Sequence, residues 1–279
     1  MEFVDTHCHI QEAAKVSDEP FIREKWGKGG YTNPARLIES AVTEGVTRLI
    51  CVGTTLPDSQ QAVALAAADS HCWASIGLHP HEAQKYVDDT IKLRKFSDLI
   101  IEKRVVAVGE CGLDYYYEHS PKEDQKKLLR FQLDLAQEHA LPLIFHVRDA
   151  FDDFWQIFDE YKGVRGVIHS FSAHREVLDE ILARGLYVGL NGIMTFTKDQ
   201  GQLSAAEAVP LDKLVLETDA PFLTPVPYRG KVCEPKHVRV TAEFLSKLRE
   251  ESLENLAQAT TRNARDLFGL DDNEFVQET

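Results

Sequence analysis

Eight short apolar runs dominate the chain, at residues 3–10, 47–53, 73–79, 105–111, 142–147, 166–171, 186–190 and 213–219. Each is rich in Val, Ile or Leu, and several are apolar at nearly every position. A strand with one wet face alternates apolar and polar residues; a continuous apolar run marks a strand covered on both faces, as in a parallel sheet. Helical patterns separate the runs, at 34–45, 57–68, 88–103, 121–139, 149–161 and 173–184, with a weaker one at 202–208 and two more at 236–250 and 252–268. The pair Asn33-Pro34 is a helix start signal, with proline at the first helical position. In 121–139, Leu128, Phe131, Gln132 and Leu135 recur at helical spacing with charges opposite.

Strand–helix alternation repeated eight times within 279 residues predicts an α/β fold, the (β/α)8 TIM barrel, as a single domain over 1–279. An open doubly wound sheet is the alternative, but it expects a glycine-rich phosphate loop after an early strand. Gly27, Gly29 and Gly30 cluster, yet follow no strand. The segment 11–33 reads as a long mixed loop, a surface excursion or lid over one barrel mouth.

Net charge is −14, which argues against sequence-neutral wrapping of a nucleic-acid duplex, since that needs a basic face. A small anionic substrate remains compatible if a metal supplies local positive charge. The five cysteines form no CxxC pair, so reduced, mostly buried thiols in a cytoplasmic protein are expected. The strand pattern begins at Phe3, with no basic-plus-apolar leader before it. No apolar run approaches the roughly 20 residues of a membrane span. A monomer is the expected state.

The stretch from Phe3 to His9 places two histidines one residue apart at the end of the first apolar run. Successive strand side chains alternate between faces, so His7 and His9 point the same way. The other runs end similarly: the fourth at Glu110, the fifth at His146, the sixth at His169 and the eighth at Asp219. One buried ionisable residue is ordinarily a hydrogen-bonded core group. Five strand ends doing this together resist a packing explanation, because each unpaired buried charge costs several kcal/mol. Two divalent metal ions would neutralise the set. Strands 1 and 8 are neighbours in a closed barrel, so His7, His9 and Asp219 form one expected cluster. His146 and His169 form the other, and Glu110 can bridge. Two ions held ~3.5–4 Å apart would activate water and clamp an oxyanion. Imidazole with carboxylate suits zinc or manganese, and magnesium fits the histidine-rich side less well.

The motifs "DTHCH" (5–9), "GLHPHEA" (77–83), "GECGLDYY" (109–116), "FHVRDA" (145–150), "IHSF" (168–171), "LETDAPFLTP" (216–225) and "YRGKVCEP" (228–235) resemble the TatD family of metal-dependent deoxyribonucleases, in the amidohydrolase superfamily. The resemblance runs from about residue 3 to residue 268. It implies divalent-metal-dependent phosphodiester hydrolysis of DNA, typically a 3′–5′ exodeoxyribonuclease acting on single-stranded 3′ ends. The family's ligands map onto His7, His9, Glu110, His146, His169 and Asp219. Two features depart from the family: a longer connection after His9, and Cys233 where Asn is commoner.

Within that frame Asp219 is the expected metal ligand and proton acceptor. Glu217, two residues earlier, is placed to orient a ligand histidine. His79 and His81 are candidates for contact with the scissile phosphate or leaving group. Arg148 and Arg229 are candidate phosphate clamps. Tyr115, Tyr116 and Tyr117 can stack on a splayed base or pack at the rim. An ester or amide hydrolase, such as an aminoacyl-tRNA deacylase, is the alternative activity on the same site. A non-catalytic metal-binding protein is a third, disfavoured by the complete ligand set.

Overall fold

The computed structural model describes residues 1–13 and 20–270. Its strands are β1 (Phe3–Cys8), β2 (Val46–Val52), β3 (Cys72–Ile76), β4 (Val105–Asp114), β5 (Leu143–Arg148), β6 (Gly166–Ile168), β7 (Tyr187–Leu190) and β8 (Leu214–Leu216). They lie parallel in the order β1 to β8. The seam between first and last is closed just beyond β8. There Asp219 N donates to His7 O at 2.8 Å and His9 N to Ala220 O at 2.8 Å. Thr6 Oγ1 also donates to Leu216 O at 3.0 Å. This is the (β/α)8 barrel expected from the alternation.

The helices are α1 (Pro20–Lys28), α2 (Pro34–Thr43), α3 (Leu56–Ala68), α4 (Thr90–Ser97), α5 (Lys122–Glu138), α6 (Phe151–Phe158), α7 (Arg175–Ala183), α8 (Gln200–Ala208), α9 (Val238–Leu248) and α10 (Leu253–Phe268). Local chemistry sets their ends. Asn33 accepts from Ala35 N ahead of Pro34, Ser252 accepts from Asn255 N, and α10 stops at Gly269 in the left-handed region. Two apolar layers result. Val4, Ile50, Val52, Trp73, Val106 and Ile144 belong to a cluster drawing on seven strands, with Tyr187 of β7 and residues of α10 such as Leu267 packed with it, which places it in the barrel interior and its α10-covered end. The larger cluster lies between sheet and helices and includes Phe3, Cys8, Leu49, Cys51 and Phe145. All five cysteines are buried free thiols, as expected.

Several boundaries differ from the sequence expectation. The segment 11–33 is not a plain loop: a 3-10 turn spans Ile10–Ala13 and α1 spans Pro20–Lys28, while the part at 14–19 lies outside the described residues. The helix expected at 88–103 stops at Ser97 and gives way to a 3-10 turn, Asp98–Ile101. Strands β6 and β8 are only three residues long. The chain leaves them through Ser170 at φ 52° and Asp219 at φ 58°, conformations that cannot continue a strand.

Candidate metal centre

The six residues expected from the strand ends converge at the C-terminal mouth of the barrel. Two register shifts help to bring them there. In β1, Asp5 and Cys8 pair with Leu49 and Cys51, three residues of β1 against two of β2. In β4, Val108 and Cys111 pair with Leu143 and Phe145, again three against two. Each bulge inserts one residue and reverses the facing of the residues beyond it. Cys8 and Cys111 therefore join the outer layer, and His7, His9 and Glu110 turn inward.

Glu110 is the hub. Its Oε2 lies 3.5 Å from His7 Nε2. Its Oε1 lies 3.0 Å from His146 Nδ1, 3.5 Å from His169 Nε2 and 3.7 Å from His79 Nε2. Asp219 Oδ1 stands 3.4 Å from His9 Nε2 and 3.8 Å from His7 Nε2. The His7 and His169 rings stack with centroids 3.7 Å apart. Three triads have donor atoms close enough to share an ion: His7 with His9 and Glu110, His7 with His169 and Asp219, and His79 with Glu110 and His146. The two expected clusters thus merge into one, with His169 beside His7 and with His79 brought in.

Hydrogen bonds on the outer side of the rings fix their tautomers. His9 Nδ1 faces Val52 O at 2.8 Å. A carbonyl only accepts, so Nδ1 carries the proton and Nε2 presents a lone pair. His146 Nε2 donates to Asp114 Oδ2 at 2.9 Å, leaving its Nδ1 lone pair toward Glu110. His169 Nδ1 lies 3.0 Å from Glu217 Oε1, an ion-pair contact without hydrogen-bond alignment, and its Nε2 looks to Glu110. Lone pairs thus confront carboxylate oxygens at 3.0, 3.4 and 3.5 Å, which is repulsive unless a cation lies between. A proton can fill that role. Burial lowers the His9 and His146 pKa values, but hydrogen bonds and charge from Asp219, and from Asp114 and Glu110, push both up to about 9. Burial would raise Glu110, yet the surrounding imidazoles hold it well below the usual carboxylate range. This donor set of imidazoles and carboxylates, with its excess of lone pairs, fits divalent ions.

His79 behaves differently. Its Nδ1 accepts from His81 N at 3.2 Å, so the neutral ring carries its proton on Nε2. Burial keeps that ring neutral by pushing its pKa well below the ordinary value. His79 therefore offers a donor to the groove. His81 Nε2 donates to Asp114 Oδ2 at 2.9 Å. Sequence reasoning misses Asp114, although it follows Glu110 by four strand residues and so shares its face. Burial would raise its carboxyl, but bonds from His146, His81 and Tyr117 N hold it well below the usual range. Asp5 is missed as well. It ties β1 to the far side of the seam, accepting from Thr218 N at 2.9 Å and Thr218 Oγ1 at 2.6 Å.

Glu217 is buried and meets Ser170 N at 2.6 Å and Asn191 Nδ2 at 3.1 Å as well as His169. It needs Gly189: a Cβ there would lie 2.3 Å from Glu217 Oε2.

Above the cluster opens a groove of about 1710 Å³, lined by His79, His81, Tyr116, Arg148, Phe196 and Phe222 among others. Arg148 lies over the Tyr116 ring at 4.1 Å. Arg229 is exposed, caps Phe196 at 3.8 Å and donates to Thr224 O at 3.0 Å; it stands behind the groove wall rather than in its lining. No described helix is long and apolar enough to cross a membrane.

A parallel barrel with histidines and carboxylates gathered at its C-terminal mouth defines the class: a metal-dependent hydrolase of the TIM-barrel type. A family model described as TatD related DNase matches residues 4–269. YabD of Bacillus subtilis, described as an uncharacterized metal-dependent hydrolase, is 37% identical over 268 residues, covering 95% of this chain and 98% of its own. The 3′-5′ ssDNA/RNA exonuclease TatD of Citrobacter rodentium is 35% identical over 243 residues, covering 84% and 91%. The crystal structure of YjjV, a TatD homologue from Escherichia coli K12, superposes with a TM-score of 0.83 at 28% identity, covering 96% and 98%. The chain belongs to the TatD family of metal-dependent hydrolases.

Proposed function

We propose that this protein hydrolyses phosphodiester bonds of single-stranded DNA, removing nucleotides from the 3′ end. The observation that carries the reading is Glu110. Its two oxygens face different histidines, Oε2 toward His7 and Oε1 toward His146 and His169, at the floor of an open, aromatic-lined groove. A carboxylate so shared suits a two-ion site. In this reading His7, His9, Asp219 and Glu110 hold one ion, and Glu110, His146 and His169 hold the other. When bound, such ions supply Lewis-acid polarisation of a phosphoryl oxygen and lower the pKa of water. The 3′ polarity and the single-stranded preference are supported by the name of the Citrobacter relative.

The side chains then divide the work. Asp219 is partly accessible to the groove, with 16% of its side chain exposed, and accepts the proton of the attacking water. Its pKa, which burial alone would raise, is held down by His9, His169 and His7, so the carboxylate is ionised and ready. His79 donates from Nε2 to a phosphoryl oxygen or the leaving oxygen. His81 is oriented toward the same place by Asp114. Arg148, over Tyr116, offers a guanidinium to the phosphate, and the exposed faces of Tyr116 and Tyr117 offer stacking to a base. Arg229 adds charge at the rim.

The test uses metal-loaded protein with single-stranded oligodeoxynucleotides labelled at one end or the other, and an aminoacyl-tRNA in parallel. Stepwise shortening that retains the 5′ label is expected. Release of the amino acid with intact oligonucleotides would replace this function with the deacylase alternative.

A further inference from the structure

Helix α1 sits in the connection between β1 and β2, and it is built into the mouth. Trp26 is fully buried, and its Nε1 donates to His9 O at 3.1 Å. The helix is thereby fastened, by one of its own side chains, to the backbone of the strand end that carries His9. Ile22, one turn before, lines the groove. Beside Trp26, Lys25 places its Nζ 4.2 Å from the centre of the Phe222 ring. Phe222 also lines the groove, and its N donates to Asp219 O at 2.8 Å. An anchored helix thus sets a half-buried cation on an aromatic wall three residues from Asp219.

Among the described residues Lys25 has no carboxylate partner and makes no hydrogen bond; its ammonium rests on the ring face instead. Burial lowers its pKa while the charge of Asp219 opposes that fall, so the ammonium feels the centre without touching it. Arg229 stands over Phe196, behind the groove wall. A protein of net charge −14 therefore keeps three cations near its mouth, Lys25, Arg148 and Arg229, each over a ring that lines the groove. An ammonium over an aromatic face retains its donors for an incoming anion.

We propose that Lys25 is a substrate-binding residue that receives a backbone phosphate flanking the scissile bond, so that α1 selects oligonucleotides over isolated phosphodiesters. This deepens the nuclease reading and rests on it. Lys25 lies outside the imidazole–carboxylate cluster, so its anion is a neighbouring phosphate rather than the reacting one. It takes no part in bond cleavage.

The experiment compares metal-loaded wild type, Lys25→Met and Lys25→Arg. Binding of a fluorescent single-stranded oligodeoxynucleotide with a phosphorothioate-blocked 3′ end is followed by anisotropy across a salt series. Turnover of bis(4-nitrophenyl) phosphate, which has no flanking phosphate, is measured in parallel. Lys25→Met is expected to weaken oligonucleotide binding about tenfold and to reduce the salt slope by about 0.7. Its turnover of the small diester should equal that of wild type, and Lys25→Arg should restore binding. Unchanged affinity and slope in Lys25→Met would overturn the assignment, as would an equal loss with both substrates or a wild type that does not bind the oligonucleotide. Binding that depends on Lys25 without hydrolysis of either diester would leave Lys25 in place and remove the nuclease reading instead.

Discussion

Glu217 Oε1 lies 3.0 Å from His169 Nδ1 as an ion pair, on the side of the ring turned away from Glu110. The carboxylate also meets Ser170 N and Asn191 Nδ2, so it cannot swing away. Outer partners of this kind fix tautomer and raise ligand basicity. Glu217→Gln keeps the shape and removes the charge. It should weaken divalent-ion affinity about 10–100-fold, read by titration calorimetry, while leaving the urea midpoint close to that of wild type. An unchanged affinity would show that His169 needs no such partner.

Removal of metal gives a broader test. Exhaustive chelation should abolish hydrolysis, and zinc, manganese or magnesium added back singly should restore it to different extents. Glu110→Gln should not be rescued by any of them, because an amide cannot share two anionic oxygens between ions. The measurement is initial rate against added ion for both proteins.

Trp26 connects stability to the same region. Its indole is fully buried and donates to His9 O. Trp26→Ala should cost about 3–5 kcal/mol, seen as a lower urea midpoint. Trp26→Phe retains most of the apolar volume and loses mainly the hydrogen bond, so it should cost only ~1–2 kcal/mol. Equal losses would place the whole effect in that one bond.

His237 predicts a pH effect with a definite sign. Its Nδ1 accepts from Glu234 N at 3.0 Å, which requires a lone pair there. Burial, with Lys236 and Lys231 nearby, lowers its pKa from 6.5 to about 4 despite Glu234. The unfolded chain then binds a proton near pH 6.5 that the native ring refuses until about pH 4. Stability from this residue is present above pH 6.5 and is lost as pH falls toward 4. His237→Gln should flatten the urea midpoint against pH within that window relative to wild type. Parallel curves would contradict the assignment.

The barrel was legible because strands covered on both faces leave unbroken apolar runs, and because ionisable groups at their ends are too costly to be accidental. His7, His9, Glu110, His146, His169 and Asp219 meet for that reason. The division of these residues into two clusters was less legible. It depends on bulges at Asp5–Cys8 and Val108–Cys111, which change side-chain parity without a composition signal. Asp114 does carry a signal, its even spacing from Glu110. Helix α1 was hidden because Lys, Glu and Gly dilute its apolar residues, leaving mainly Trp26 to fix it. The shortness of β6 and β8 reflects left-handed turns at Ser170 and Asp219, where an Asp or Ser gives only weak notice of the conformation.

The closure of the barrel has a consequence in time. The contacts that join its ends run from His7 and His9 to Asp219 and Ala220, so the seam and the proposed cage draw on the same residues. A nascent chain that has emerged only through β7 carries five of the donors but neither the sixth nor the strand that locks β1. Competence for hydrolysis therefore arrives late in synthesis, when the two extremities of the sheet meet, and a prematurely terminated polypeptide is born disarmed.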